Sequence, residues 1–242
     1  MDGCRTGWVL AEVPAGGRPP VRATVTVIDH IATVVDRLDD PDDDLELAGV
    51  DMPIGLVDAG RRACDTEARA RLGPRRSSVF PTPVRAALDA PDYPTALARS
   101  RAVDGGRGLS KQAWFLLPKI AEIDAVITPA HQDRLLECHP ESCFAALAGA
   151  PLRTTKRTAE GLAARAALLR PEVAGLDELL ADVASRRPRR ARTDDVLDAL
   201  VVAVTMRAHR QGGAIVVGDD QLDPRGLRMI TIVGVASAPR KP

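Results

Sequence analysis

The sequence predicts an α/β fold, a mixed sheet flanked by helices. Three observations predict it. Apolar, strand-like runs lie towards both ends of the 242-residue chain. Between them, residues 58–130 have helical spacing and no strand pattern of their own. Near the C-terminal end a strongly amphipathic segment, Asp194–His209, is followed by two short apolar runs. The chain therefore reads as one domain over 1–242, with 58–130 as a helical insertion between two strands of one sheet.

Each element has its own signal. Trp8–Val13 and Ala23–Ile28 are strand-like and flank the turn residues Pro14-Ala15-Gly16-Gly17, which predicts a hairpin. Ile31–Leu38 has helical spacing, and Asp39–Asp44 is an acidic loop. Leu45–Ile54 is apolar and reads as a buried strand. Helices are expected at Cys64–Leu72, Tyr93–Ala102 and Gln112–Val126, the last kinked at Pro118. Arg134–Cys138 reads as a strand, and Ser142–Leu147, Ala159–Leu169 and Leu176–Val183 as helices. Leu197, Leu200, Val201, Val204 and Ala208 form one stripe on the helix Asp194–His209, which Gly212 and Gly213 stop. Ile215–Val217 and Met229–Val233 close the sheet.

Composition limits the function. Apolar residues make up 45% of the chain and aromatics only 2%, so Leu, Val, Ile and Ala must fill the core. The formal net charge is zero, so any nucleic-acid contact must come from a local patch. Cys4, Cys64, Cys138 and Cys143 read as reduced intracellular thiols. No apolar run approaches the roughly 20 residues of a spanning helix. The expectation is a soluble, cytoplasmic protein with no membrane partner.

The chemistry is expected from carboxylates at the ends of apolar runs. They are Asp2, Asp51, Glu137, and Asp195 with Asp198 on the amphipathic helix. An acid at the end of a buried strand is costly to desolvate unless something positive pairs with it. Several acids gathered from distant segments supply the oxygen ligands that Mg2+ or Mn2+ prefers. Asp51 is the strongest candidate, because Gly49-Val50-Asp51-Met52-Pro53 sets one acid in an apolar stretch and Pro53 then prevents ordinary ladder pairing. Asp195 and Asp198, three apart, point to one side of their helix. Asp194 is the expected N-cap. Asp2-Gly3 and Gly7 pair an acid with glycines that allow close backbone approach to phosphate.

His139, two residues after Glu137, is a candidate ligand or proton shuttle, or a hydrogen-bonded turn residue. Cys138, His139 and Cys143 lack a Cys-x-x-Cys knuckle, which argues against zinc. Lysine is scarce, so Lys111, Lys119 and Lys156 stand out with Gln112 as phosphate contacts. The Arg186–Arg192 cluster, with Arg189 and Arg190 at its centre, reads either as a phosphate clamp or as a solvated linker.

With these residues in hand, the chain resembles the domain of unknown function family 429, predicted nucleases with a ribonuclease-H-like fold. The matching stretches are DGCRTGW, VDMPIGL, the CDTEARARLG…SSVFPTPVRAAL block, GLSKQAWFLLPKIAEID, ECHPESCFAALAG and DDVLDALVVAVTMR, in order over nearly the whole chain. The resemblance implies a three-layer α/β/α fold whose first three strands are antiparallel, with a two-metal acidic site at the strand ends. Asp2 matches the first-strand acid, Asp51 the fourth-strand acid, Asp195 and Asp198 the acidic pair of the last helix, and Glu137 a further recurrent acid. The apolar residues that usually precede the first acid are missing, and the expectation is a start codon upstream.

The leading expectation is a metal-dependent nuclease. Asp2, Asp51, Asp195 and Asp198 would hold two Mg2+ or Mn2+ ions, with Glu137 or His139 assisting proton transfer. The alternatives are an ATP-dependent phosphotransferase of the sugar-kinase type and a non-catalytic binding module. DGCRTG faintly resembles the first phosphate loop of the sugar kinases, but neither a second Asp-x-Gly loop nor a Gly-Gly adenosine motif accompanies it.

Overall fold

The computed structural model describes residues 1–106, 108–186 and 191–236. It is a mixed α/β protein, roughly half helical. Its strands are β1 (Asp2–Cys4), β2 (Gly7–Glu12), β3 (Val21–Arg22), β4 (Thr24–Ile28), β5 (Ala48–Val50), β6 (Leu135–Glu137), β7 (Val173–Ala174), β8 (Ala214–Val217) and β9 (Thr231–Val235). The α-helices are α1 (Ala32–Asp39), α2 (Ala63–Leu72), α3 (Tyr93–Val103), α4 (Lys111–Val126), α5 (Pro140–Ala148), α6 (Ala159–Leu169), α7 (Leu176–Arg186) and α8 (Thr193–Arg210).

The predicted hairpin is present. β2 and β4 are antiparallel, with Trp8 opposite Ile28 and Glu12 opposite Thr24, and β1 pairs antiparallel to β2 on its other side. Single backbone bonds then join small sheets edge to edge. Met1 donates its amino group to Gly49 O at 2.6 Å and accepts from Asp51 N at 3.0 Å, the bonding of parallel neighbours. β5 and β6 are parallel. Cys138 bridges Ile232 in parallel, and β9 is antiparallel to β8. Across the molecule the strands therefore run β4, β2, β1, β5, β6, β9, β8. β3 and β7 form a separate parallel pair.

Helices cover both faces. One face carries Val9, Ala11, Leu136 and Cys138 against α5, α6, α7 and α8. The other carries Trp8, Leu10, Val50 and Leu135 against α1 and α4. Between β5 and β6, residues 58–130 hold α2, α3, α4 and short 3-10 turns, with no strand among those described. Their apolar side chains pack on Val217, Met229 and Val233 of the closing strands and their approach. α4 continues through Pro118.

α8 is the central element. Its expected single stripe is exceeded, because every residue from Val196 to Met206 is buried, Asp198 included. A helix between a sheet and three other helices has no face left for water. Leu197, Leu200 and Val201 are fully buried, each worth about 1.5–3 kcal/mol. The helix seats closely on β5 at Gly49, where a Cβ would stand 2.7 Å from Val202 and Met206. The expected strand Leu45–Ile54 contracts to Ala48–Val50, since the chain leaves the sheet at Asp51, ahead of Pro53.

Between residues 10–13 and 44–49 lies a cleft of about 540 Å³, bounded by Met1, Val202 and Met206 and lacking every acid expected at the site. Among the described residues, no helix is long and apolar enough to cross a membrane.

Candidate functional site

Register decides which acids meet. Met1 bonds to both neighbours of Val50, so Asp2 lies beside Asp51 on the adjacent parallel strand. Cys138, whose N–H donates to Val50 O at 2.9 Å, follows in the same row. Side chains in one row of a parallel sheet share a face. That face is covered by α8, whose Asp195 and Asp198 project from its first turns. The structure thus brings Asp2, which opens β1, and Asp51, which follows β5, near Asp195 and Asp198 of α8, from three distant parts of the chain. Lys156 joins them, its Nζ on Asp198 Oδ2.

The electrostatics follow from burial. Asp2 is pushed well above the usual carboxylate range by desolvation, and then by the charges of Asp51 and Asp198. Desolvation also raises Asp51 and Asp198, each to about 6, against opposing attraction from Lys156. Asp2 and Asp51 lie against each other, and neither makes a salt bridge among the described residues. Asp195 is raised by burial and the neighbouring Asp194. Burial pulls Lys156 down, but Asp198, Asp2 and Asp51 more than offset it and hold its ammonium above the ordinary lysine value.

Lys156 is thus the cation set among these carboxylates. The donors are all oxygen and short of positive charge, which fits a hard divalent cation such as Mg2+ or Mn2+.

The raised acids have a pH signature. A folded-state pKa above the unfolded one means that the native chain binds more protons between the two values, so stability falls as pH rises through them. For Asp51 and Asp198 this window runs from the ordinary carboxylate value of 3.8 to about 6. Without metal, the cluster is expected to cost on the order of a few kcal/mol between pH 4 and 7. Melting temperatures of wild type and Asp51→Asn across that range test it, the variant giving the flatter profile. Superimposable profiles would mean that the acids are not strained.

Glu137 takes a different place from the one expected. It lies one residue off the Asp51 row, in register with Val50, and so faces the opposite side of the sheet. There it is saturated by buried Arg62 at 2.6 and 2.8 Å, by Thr231 Oγ1 at 2.5 Å and by Ile54 N at 2.8 Å. Arg62 also binds Asp65 at 2.5 Å and the carbonyl of Ile54 at 3.0 Å. Burial opposes the Arg62 charge, but Glu137 and Asp65 outweigh it and raise its pKa.

Cys64, Asp65 and Glu137 lie close enough to share an ion. Their negative charge already belongs to Arg62, and burial pushes the Cys64 thiol up to about 12, so this trio makes a poor metal site.

His139 caps α5. Its Nδ1 accepts from Ser142 N at 3.2 Å, its Nε2 faces Ser78 O at 3.3 Å, and burial lowers its pKa. The turn-residue alternative describes it, and both ring nitrogens are occupied. Cys138 and Cys143 contact each other, sulfur to sulfur, at 3.4 Å.

Asp194 is not the N-cap of α8. Arg192 is, and Asp195 reaches back to accept its N–H at 3.0 Å, while Asp194 pairs with Arg192 Nε at 3.2 Å.

The expected phosphate contacts disperse. Lys156 is at the acids. Lys119 lies over the Trp8 ring at 4.5 Å and pairs with Glu122 at 3.1 Å, on the other face of the sheet. Lys111 and Gln112 are exposed on the first turn of α4. Arg189 and Arg190 lie outside the described residues. Arg62 was missed, having no signal that separates it from the surface arginines of an Arg-rich chain.

The molecule is thus an α/β protein with a carboxylate cluster on neighbouring parallel strands, roofed by its longest helix. Residues 1–222 match the model of a family described as Protein of unknown function (DUF429), and the chain belongs to that family. Neither a curated protein nor a solved structure matches it.

Proposed function

We propose that the protein is a divalent-metal-dependent nuclease that hydrolyses phosphodiester bonds of DNA or RNA. One observation carries the reading. Asp2 and Asp51 stand side by side on parallel strands, under-neutralised and facing Asp195 and Asp198. The strand order supports a ribonuclease-H-like fold as its frame. β1, β2 and β4 are antiparallel in meander order, and β5 and β6 follow in parallel on the far side of β1.

Asp2, Asp51 and Asp198 would hold the ion, with Asp195 offering the carboxylate oxygen that does not cap α8. Bound Mg2+ or Mn2+ supplies a Lewis acid for the phosphodiester and an acidified water. Lys156 keeps a positive charge beside Asp198, where a phosphate would enter. The packed strands below the acids exclude water from one side of the cluster. Glu137 and His139 are spent on Arg62 and on the cap of α5, so the expected proton transfer by either side chain is not part of this proposal.

The test is incubation of the purified chain with end-labelled DNA, labelled RNA and labelled ATP, each with and without Mn2+. Cleavage of a nucleic acid that requires Mn2+ is the expected result. Consumption of ATP would favour the alternative, an ATP-dependent phosphotransferase of the sugar-kinase type. Binding with no turnover would leave a non-catalytic module.

A further inference from the structure

We propose that Lys156 is the second cation of this site, so that the protein takes one divalent ion between Asp2 and Asp51 and keeps an ammonium where a second ion would sit. The inference rests on the metal-dependent reading above and replaces the two ions expected from the sequence by one.

The cluster divides into two halves by which oxygens are already used. Asp198 gives Oδ2 to Lys156, and Asp195 gives Oδ2 to the N–H of Arg192. Asp2 and Asp51 make no ion pair among the described residues and feel Lys156 only across space. The half on the strands is therefore the more open to an ion, while each acid of α8 has one oxygen taken.

Lys156 is also built into its position. Thr158 N and Oγ1 both donate to Thr155 O, at 3.2 and 3.1 Å, closing a turn around the lysine. Thr158 then caps α6 through Gly161 N at 3.1 Å. At Gly161 a Cβ would stand 1.8 Å from Thr155 O, so the turn can seat only over a residue without a side chain. Beneath it the fully buried Arg165 contacts Thr154 O at 3.4 Å and is anchored by Glu141 at 2.5 Å. A mobile surface lysine needs none of these supports.

Charge counting is compatible with the same answer. Four ionised carboxylates are neutralised by two divalent ions when Lys156 is absent; with its ammonium in place on Asp198, one ion leaves a single negative charge and two leave a single positive one. An ammonium has three N–H donors. With one on Asp198, others remain for a phosphate oxygen.

The experiment is Mn2+ stoichiometry at pH 7.5, by calorimetry and by electron paramagnetic resonance, on wild type, Lys156→Ala and Lys156→Met. Melting curves of the same samples establish that each is folded. Wild type is expected to bind one Mn2+ per chain with an uncoupled signal, and the folded variants two, with a spin-coupled signal. Two ions in wild type would overturn the inference and leave the metal-dependent reading intact. One ion in both folded variants would overturn it as well, since the vacated position would then not be a cation position. No Mn2+ in any protein would overturn both readings. Wild-type stoichiometry decides against the inference even if both variants fail to fold.

Discussion

Asp51→Asn is expected to abolish metal binding and cleavage while making the metal-free chain more stable. Asp51 stands beside Asp2 and is pushed up to about 6 by burial, against the attraction of Lys156 and the chain's amino group. Removing its charge relieves that repulsion, a gain of about 1–3 kcal/mol at pH 7.5. For a chain of this size that corresponds to several degrees in melting temperature. The same change takes a ligand from the ion, and the rate should fall on the order of 10³-fold, ~4 kcal/mol of transition-state stabilisation. The measurements are calorimetry with Mn2+, the cleavage assay, and melting with and without metal. A variant that keeps wild-type Mn2+ affinity would remove Asp51 from the site. A variant less stable than wild type without metal would mean that its charge is satisfied in a way the structure does not reveal.

Arg62→Met is expected to be the most damaging single change to stability. It strands Glu137 and Asp65, both buried, with no cation between them. Breaking one partner out of a buried ion network costs about 3–5 kcal/mol. The melting temperature should then fall by roughly 6–20 °C. Adding Glu137→Gln should recover part of the loss, because it removes one of the stranded charges, so the double variant should lie above the sum of the singles. Denaturant unfolding measures all three. A loss below about 1 kcal/mol would mean that water reaches the network. Arg62 also holds the carbonyls of Ile54 and Gly55, three and four residues beyond Asp51. Its removal should therefore loosen the site as well as the core.

What the sequence made legible was the set of acids and the helix that brings two of them in. Asp51 is visible because an acid in LELAGVDMPIGL has no surface reading. Asp198 is visible because it lies beyond the reach of capping. Scarcity marked Lys156, although scarcity marked Lys111 and Lys119 equally. Facing was not legible. Around Glu137 the two apolar residues Leu135 and Leu136 stand side by side without alternation, as in a strand buried on both faces, so one step of register could not be read. The register came only from backbone bonds, Met1 to Gly49 and Cys138 to Val50. The cap of α8 was displaced for a similar reason. Four polar residues, Arg192 to Asp195, precede the apolar stripe, and which one caps depends on whether Asp195 turns back to Arg192. β3 and β7 are two residues each and carry no periodicity at all.

The joining of strand acids to helix acids also has a consequence in time. Asp2 and Asp51 leave the ribosome early, but Asp195 and Asp198 follow more than a hundred residues later. At about 5–20 residues per second, that is a delay on the order of ten seconds. Throughout it the growing chain lacks α8, and with it half of the carboxylates. The activity proposed above would therefore be missing from the nascent chain until α8 has been made.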